Sequence, residues 1–233
     1  RKPCVRVYGQ APDTSVNYRR ASPKFGATYA ITPETHAFVS RTHGFRAPSE
    51  GDLFRPSFGT TAAAAQAAAL GSLALKPIRA DQFEVGLRGR IGPLSYDTVL
   101  YDLKKRDDIV TQRDTTTNFT QRVNAGMTRH RGIEVGAGVE VTRGFRLDTA
   151  FSHGRQTYVN WVTSTGDLSG KEIESAPRTM ANTRVTWNPL PEARVQLEWV
   201  KIGAYWQDAA NTGKYAGHNL LNLRTNWDVR SDF

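Results

Sequence analysis

The chain has 233 residues, 39% of them hydrophobic, 10% aromatic and 23% charged, a composition that excludes a wholly disordered chain. Its formal charge is +9, yet Arg1, Lys2, Arg6, Arg19, Arg20 and Lys24 face only Asp13 at the start, and basic and acidic residues interleave beyond them. With no basic helix and no RNP-like aromatic motif, nucleic-acid binding is excluded.

Cys4 is the single cysteine, so an internal disulfide framework and a four-thiolate metal site are excluded. No run approaches the roughly 20 apolar residues of a membrane-spanning helix. The Ala-rich stretch 62–75 is too short and contains Gln66, Gly71 and Ser72. The first ten residues carry no apolar leader, so an exported protein is expected to stand here without its N-terminus.

Strands are predicted near 20–31 and 35–45, joined by a short turn at 32–35. A long polar loop, about 47–79, follows; within it 62–69 reads as a short helix by propensity. In the strand 80–91, Phe83, Val85, Leu87 and Ile91 fall on one face, and Gln82, Glu84, Arg88 and Arg90 on the other. After a turn at 92–93, the strand 94–110 loses its phase. Its apolar set slips from Leu94 and Tyr96 to Val99, Tyr101 and Leu103, which calls for a bulge.

Beyond a second long loop, 111–127, the strand 128–142 sets Ile133, Val135, Ala137, Val139 and Val141 opposite Glu134, Gly136, Gly138 and Glu140. A turn at 143–144 leads to the strand 145–161 and a third loop, 162–177. In 178–188, Ala181, Thr183, Val185 and Trp187 oppose Asn182, Arg184 and Thr186. A turn at 188–192 precedes 193–206, where Lys201 shares the face of Val195, Leu197 and Trp199, leaving the register beyond Trp199 open. After a loop at 207–214, the strand 215–229 sets Leu221, Leu223, Thr225, Trp227 and Val229 against Asn222, Arg224, Asn226 and Asp228.

Period-two alternation also suits a soluble sandwich. Charges in mid-strand and the strict exchange of short turns with long loops instead favour an all-β, antiparallel transmembrane β-barrel. About nine strands would leave two edges open, and barrels of this type have even strand numbers. The chain stops at Ser231-Asp232-Phe233, where another strand would be launched, so an incomplete segment of a larger barrel is expected. Trp187 and Trp227 fall at the short-turn ends, and Tyr158, Trp161, Tyr205 and Trp206 at the long-loop ends, the two interfaces where aromatic girdles sit.

The segment Ser40-Arg41-Thr42-His43-Gly44-Phe45-Arg46-Ala47-Pro48 resembles the "S-R-G-F-R-A-P" stretch of the TonB-dependent receptors. Similar matches follow in the family's order: Ser22-Pro23-Lys24-Phe25-Gly26, Leu75-Lys76-Pro77 before Phe83-Glu84-Val85-Gly86, and Val123-Asn124-Ala125-Gly126 with Arg131-Gly132-Ile133-Glu134. Ala176-Pro177-Arg178 before Trp187, and Gly217-His218 with Asn222-Leu223-Arg224, complete the set. The resemblance implies one partial barrel domain over 1–233, cut from a plugged barrel of the 22-strand class. The plug, the TonB box, the early strands and the last strands would lie outside it.

It further implies a monomeric receptor in outer-membrane lipid that imports a ferric siderophore, energised by the TonB–ExbB–ExbD complex. An iron chelate is then the transported ligand, and no cofactor is covalently bound. Haem or cobalamin import, a passive porin or adhesin barrel, and a soluble sandwich module are the rival readings. No nucleophile elbow, phosphate loop, HExxH or paired-carboxylate signature marks an enzyme.

Arg88, Arg90, Arg184, Arg194 and Arg224, with Glu84, Glu134, Glu140 and Glu198, are expected to line the lumen and pair with one another or with the plug. Arg46, Arg55, Arg113, Arg122, Arg129 and Arg131 are the candidates for holding an anionic chelate at the extracellular loops. Trp161, Tyr205, Trp206 and Tyr215 are those for stacking on its planar groups. The plainer alternative is solvated loop charge and girdle aromatics, on loops close to neutral overall. His36, His43, His130, His153 and His218 lack metal-site spacing. Haem importers of the family add an N-P-N/D-L segment with a ligand His before it; this chain reads Ser72-Leu73-Ala74-Leu75 there, with His43 and His130 the remaining candidates.

Overall fold

The computed structural model describes residues 7–113, 120–124, 126–163 and 166–228, without the side chains of 110–113, 120–121 and 163. Cys4, Arg1, Lys2, Arg6, Ala125, Val229 and the chain end at 231–233 lie outside the described residues, as does the side chain of Arg113.

Nine antiparallel strands form one sheet in which each pairs with its neighbours in sequence. They are β1 (Lys24–Thr32), β2 (Thr35–Arg46), β3 (Ile78–Ile91), β4 (Leu94–Arg106), β5 (Met127–Thr142), β6 (Phe145–Asn160), β7 (Thr179–Leu190), β8 (Ala193–Ile202) and β9 (His218–Trp227). Two-residue turns fix the pairs β1–β2, β3–β4, β5–β6 and β7–β8, because so short a connection can only return the chain beside itself, and the long connections join these hairpins in sequence. Gly92 and Gly144 take left-handed φ values of 57° and 78° in two of the short turns. All long connections lie at the opposite end of the sheet. Among the described residues β1 and β9 each pair on one side only, so the sheet is open.

Cross-strand register carries the alternation across the whole wall. Ile91, Leu94, Val139, Leu147, Val185, Leu197 and Leu223 form one continuous apolar row over seven strands. Among the described residues no second layer covers this face. Phe83, Val85 and Leu87 are 48%, 42% and 44% exposed, as a wall needs if its solvent is hydrocarbon. The buried apolar residues instead include Leu53, Ala65, Ala69 and Leu75 within the long connection after β2.

Several expectations are corrected. β4 runs in unbroken register with both neighbours and contains no bulge. Its phase slip is genuine: Val99, Tyr101 and Leu103 turn to the polar face. There the Tyr101 hydroxyl lies over Gly132 and Gly154, positions where a Cβ would come within 2.9 and 2.5 Å of it. β4 stops at Arg106, and a separate ribbon, Ile109–Arg113 with Thr120–Asn124, follows. β1 starts at Lys24 and not near 20, and β8 ends at Ile202, with Tyr205–Trp206 pairing Lys214–Tyr215 apart from it. Lys201 stays in register between Ala181 and Asn219, one residue from the loop end of β8, where its stem can reach the interface.

Tyr158 is 5% exposed on the polar side and is not a girdle residue. The Ala-rich helix is longer than expected. After α1 (Glu50–Leu53), α2 spans Ala62–Leu73, capped by Thr61, and Ser72 stays helical by bonding the Ala68 carbonyl.

Replacing Leu197 by Arg is expected to destabilise the folded receptor in bilayers by about 2–4 kcal/mol, the range for a cation near mid-membrane on a lipid-facing strand. Gln196→Arg, on the opposite face, is expected to cost far less. Urea titration of refolding into vesicles compares the two.

Candidate ligand-binding face and lumenal wall

The polar face is a lattice of paired charges. Glu198, 6% exposed, is its most crowded point. One carboxylate oxygen accepts from Asn182 (2.8 Å) and Arg184 (3.0 Å), and the other from Asn222 (3.3 Å) with Arg224 3.4 Å away. Glu84 accepts from Ser40 at 3.0 Å, and the Arg88 guanidinium lies 5.2 Å from the Phe38 ring centre. That ring rests on Gly86, where a Cβ would come within 2.6 Å of it. Register puts Arg90, Glu134, Glu140 and Arg194 on the same face. The Arg184 Nε is buried with no hydrogen-bond partner among the described residues.

At the loop end the long connections fold into two knots. In the first, Gly9 and Gly59 of a small ribbon (Val7–Gly9 with Ser57–Gly59) lie against Ala65 of α2, which is fully buried. A capping box at Ser49 and Asp52 starts α1, and Arg122 reaches Asp52 at 3.4 Å. Burial pushes the Asp52 carboxyl up, but the Ser49 hydrogen bonds and the charges of Arg122 and Arg46 outweigh it and leave its pKa below the ordinary range. The Asn124 amide then binds both backbone groups of Lys76, at 2.7 and 2.9 Å.

The second knot joins connections 161–178 and 203–217. The Asn211 side chain binds the backbone N–H and carbonyl of Glu172, both at 2.8 Å. Asn211 itself sits at φ 58°, a conformation asparagine tolerates. The Glu172 carboxylate is gripped by two Arg178 nitrogens, Nε and Nη2, and approached by Arg155 at 3.4 Å. The Arg178 hydrogen bond, reinforced by the charges of Arg178 and Arg155, holds its pKa below the ordinary glutamate range. The rings gather here: Tyr158 with Trp161 (4.4 Å), Tyr205 with Tyr215 (5.1 Å), and Lys214 over Trp206 (5.2 Å).

Of the candidate ligand residues, Arg46, Arg55 and Arg122 meet at the first knot, where Arg55 and Arg122 line a hollow with Asp52. Trp161, Tyr205, Trp206 and Tyr215 meet at the second. Arg129 and Arg131 belong to neither loop cluster but stand inside β5 on the face of Ile133, where Arg131 borders Arg155 and Arg178 at the foot of the second knot. His43, bonded to Asp81 at 2.5 Å, also points to that outer face, whereas His130 shares the polar face with Glu134, so the two cannot share one ligand. Sequence reasoning missed Asp52, Asn124, Glu172 and Asn211. The capping spacing from Ser49 to Asp52 signals the first, and nothing local signals which distant backbone an asparagine will bind.

The sequence profile described as TonB dependent receptor-like, beta-barrel matches residues 5–233. The chain belongs to this family. Its fold superposes on the ferric yersiniabactin uptake receptor FyuA from Yersinia pestis, with 14% identity, 88% of this chain and 29% of that one covered, and a TM-score of 0.63. For the copper transporter OprC the values are 17%, 90%, 32% and 0.68. For the ferric citrate transporter FecA they are 18%, 91%, 31% and 0.68. The chain thus spans about a third of the receptors it matches. It is a stretch of TonB-dependent receptor wall, with the apolar face outward and the charge lattice inward.

The depressed Glu172 pKa makes the second knot acid-labile. Its ion pair contributes fully at neutral pH and is lost as pH falls below the ordinary glutamate range and through the depressed value. Hydrogen-exchange protection of amides near 172 and 207–213, relative to the intrinsic exchange rate at each pH, is expected to fall in that window while β7 and β8 stay protected. Glu172→Gln is expected to show the lowered protection already at pH 7.

Proposed function

We propose that the chain is part of an outer-membrane active-transport receptor that captures a ferric siderophore on its loop face and imports it with energy from TonB. One observation carries the reading within the family: Arg46, Arg55 and Arg122 and the four aromatic candidates lie at one end of the wall, in two knots of connections each held by cross-connection bonds, above a charged inner face. An anionic chelate offers carboxylate or catecholate oxygens to Arg46, Arg55 and Arg122, and planar groups to Trp161, Tyr205, Trp206 and Tyr215. Relatives of this fold are receptors for ferric yersiniabactin and ferric preacinetobactin and a transporter of ferric citrate.

In this reading further strands close the open edges at β1 and β9, and a plug fills the lumen against Glu84, Arg88, Glu198 and Arg224. The unbonded Arg184 Nε supplies a donor to that plug. TonB–ExbB–ExbD acts through the plug. No bond of the cargo is made or broken, so the process is transport and not catalysis, in a monomer held by outer-membrane lipid.

Growth of a deletion strain on a panel of iron sources, with binding titrations on the purified full-length receptor, tests this. The expected result is loss of TonB-dependent growth on one ferric chelate alone. Undiminished uptake of every ferric chelate would reject the siderophore assignment.

A further inference from the structure

Two rungs of the register climb out of the apolar band on the outer face. Leu100, Ile133 and His153 are cross-strand partners in β4, β5 and β6. One step toward the loops the partners are Asp102, Arg131 and Arg155, and the next step holds Lys104, Arg129 and Thr157. Each step is two residues, so all of these side chains share the lipid-facing side with Ile133.

Carboxylates there are already taken. Arg129 grips Asp102 with two nitrogens, Arg178 grips Glu172 likewise, and His43 holds Asp81. Among the described residues Lys104 and Arg131 make no ion pair within 4 Å and act on Asp102, which Arg129 already grips, only from farther off, and Arg155 only shares Glu172. A hollow of about 540 Å³ opens between these groups, with Leu100 and Ile133 at its apolar end and, at its charged end, Arg131, Arg155 and Arg178 beside the Asp102 carboxylate that Arg129 already holds.

We propose that this hollow binds a lipid of the outer leaflet through its phosphorylated headgroup, with the acyl chains running down past Leu100 and Ile133. Excess guanidinium charge at the edge of a hydrocarbon band fits phosphate, which arginine holds in a fork of two hydrogen bonds. The adjoining apolar surface fits a chain that a free anion lacks. Arg129 and Arg131, candidates for the transported ligand by sequence, serve the membrane in this assignment. The inference rests on the reading that the loop face points out of the cell, but not on the identity of the cargo.

Its test uses the purified full-length receptor, without any ferric chelate, in phosphatidylcholine nanodiscs doped with diphosphorylated lipid A or its dephosphorylated form. Retained lipid is counted by native mass spectrometry. Selective retention of the phosphorylated form is expected. Arg131→Gln with Arg155→Gln is expected to lower retention about tenfold or more, and the two Lys replacements to restore part of it. A charge-matched control on the polar face, Arg90→Gln with Arg194→Gln, is expected to retain lipid as the parent does. Should the Gln pair not fold, the parent's preference between the two lipids decides. Equal retention of both lipids, unchanged retention by the folded Gln pair, an equal loss in the control, or displacement by millimolar inorganic phosphate with the chains still exchangeable would each overturn the site. Failure of every chelate to be imported, with lipid still retained, would remove only the cargo reading.

Discussion

A backbone that crosses hydrocarbon has no water to bond, so every N–H and C=O must find a partner within the protein. In this chain that constraint decides the architecture. Each inner strand of the wall takes its partners from the strand before and the strand after, with two-residue turns at one end and long connections at the other keeping sequence neighbours side by side. Once the ladder is fixed, the two-residue repeat sends alternate side chains to opposite faces, and each face meets a different solvent. The outer face can carry Leu, Val and Phe because nothing polar lies beyond it. The inner face must balance its charges locally, which it does by surrounding Glu198 with two amides and two guanidinium groups. Glycine has a specific use there. Gly86, Gly132 and Gly154 leave room for the Phe38 ring and the Tyr101 hydroxyl to lie flat against the sheet.

At the loop end the constraint lifts, because water can bond whatever the fold does not. The long connections nevertheless acquire order from a few polar side chains acting in place of backbone. Asn124 and Asn211 each present one amide to both backbone groups of a residue in another connection, Lys76 and Glu172. Such a contact copies one rung of a sheet, and it fixes two loops with a single side chain. Glu172 then joins backbone pairing to a charge cluster, so that the aromatic group containing Trp206 and Tyr215 is tied to the top of β6.

The wall was legible in the sequence because period two is a local signal repeated many times over. Turn residues such as Gly92 and Gly144 marked the short connections, and the facing of Glu84, Arg184 and Arg224 followed from parity alone. Where the reading failed, a non-local contact outweighed the local pattern. The phase slip at Val99 and Tyr101 looked like a bulge because an apolar residue was assumed to want lipid. Glycines on the next two strands, Gly132 of β5 and Gly154 of β6, gave Tyr101 a place on the inner face instead. Tyr158 was assigned to a girdle by its position along the chain, yet its hydroxyl bonds Glu174 at 2.6 Å and its ring meets Trp161. Arg129 and Arg131 were grouped with the loops by charge, whereas the register of β5 carries them to the membrane side. The loop knots were illegible, since nothing near Asn211 in sequence names Glu172.

The claim that supports all of this is that the side bearing Phe83, Val85 and Leu87 lies in lipid while Glu84 and Arg88 do not. A nitroxide scan along β3 of the full-length receptor in bilayers, with Cys4 replaced by Ser, reads it directly through collision with oxygen and with a water-soluble nickel chelate. Labels at 83, 85 and 87 should collide with oxygen and escape nickel, and those at 84 and 88 should show no such preference for oxygen. Loss of that alternation, or labels at 83, 85 and 87 shielded from both reagents as in a packed core, would contradict the account.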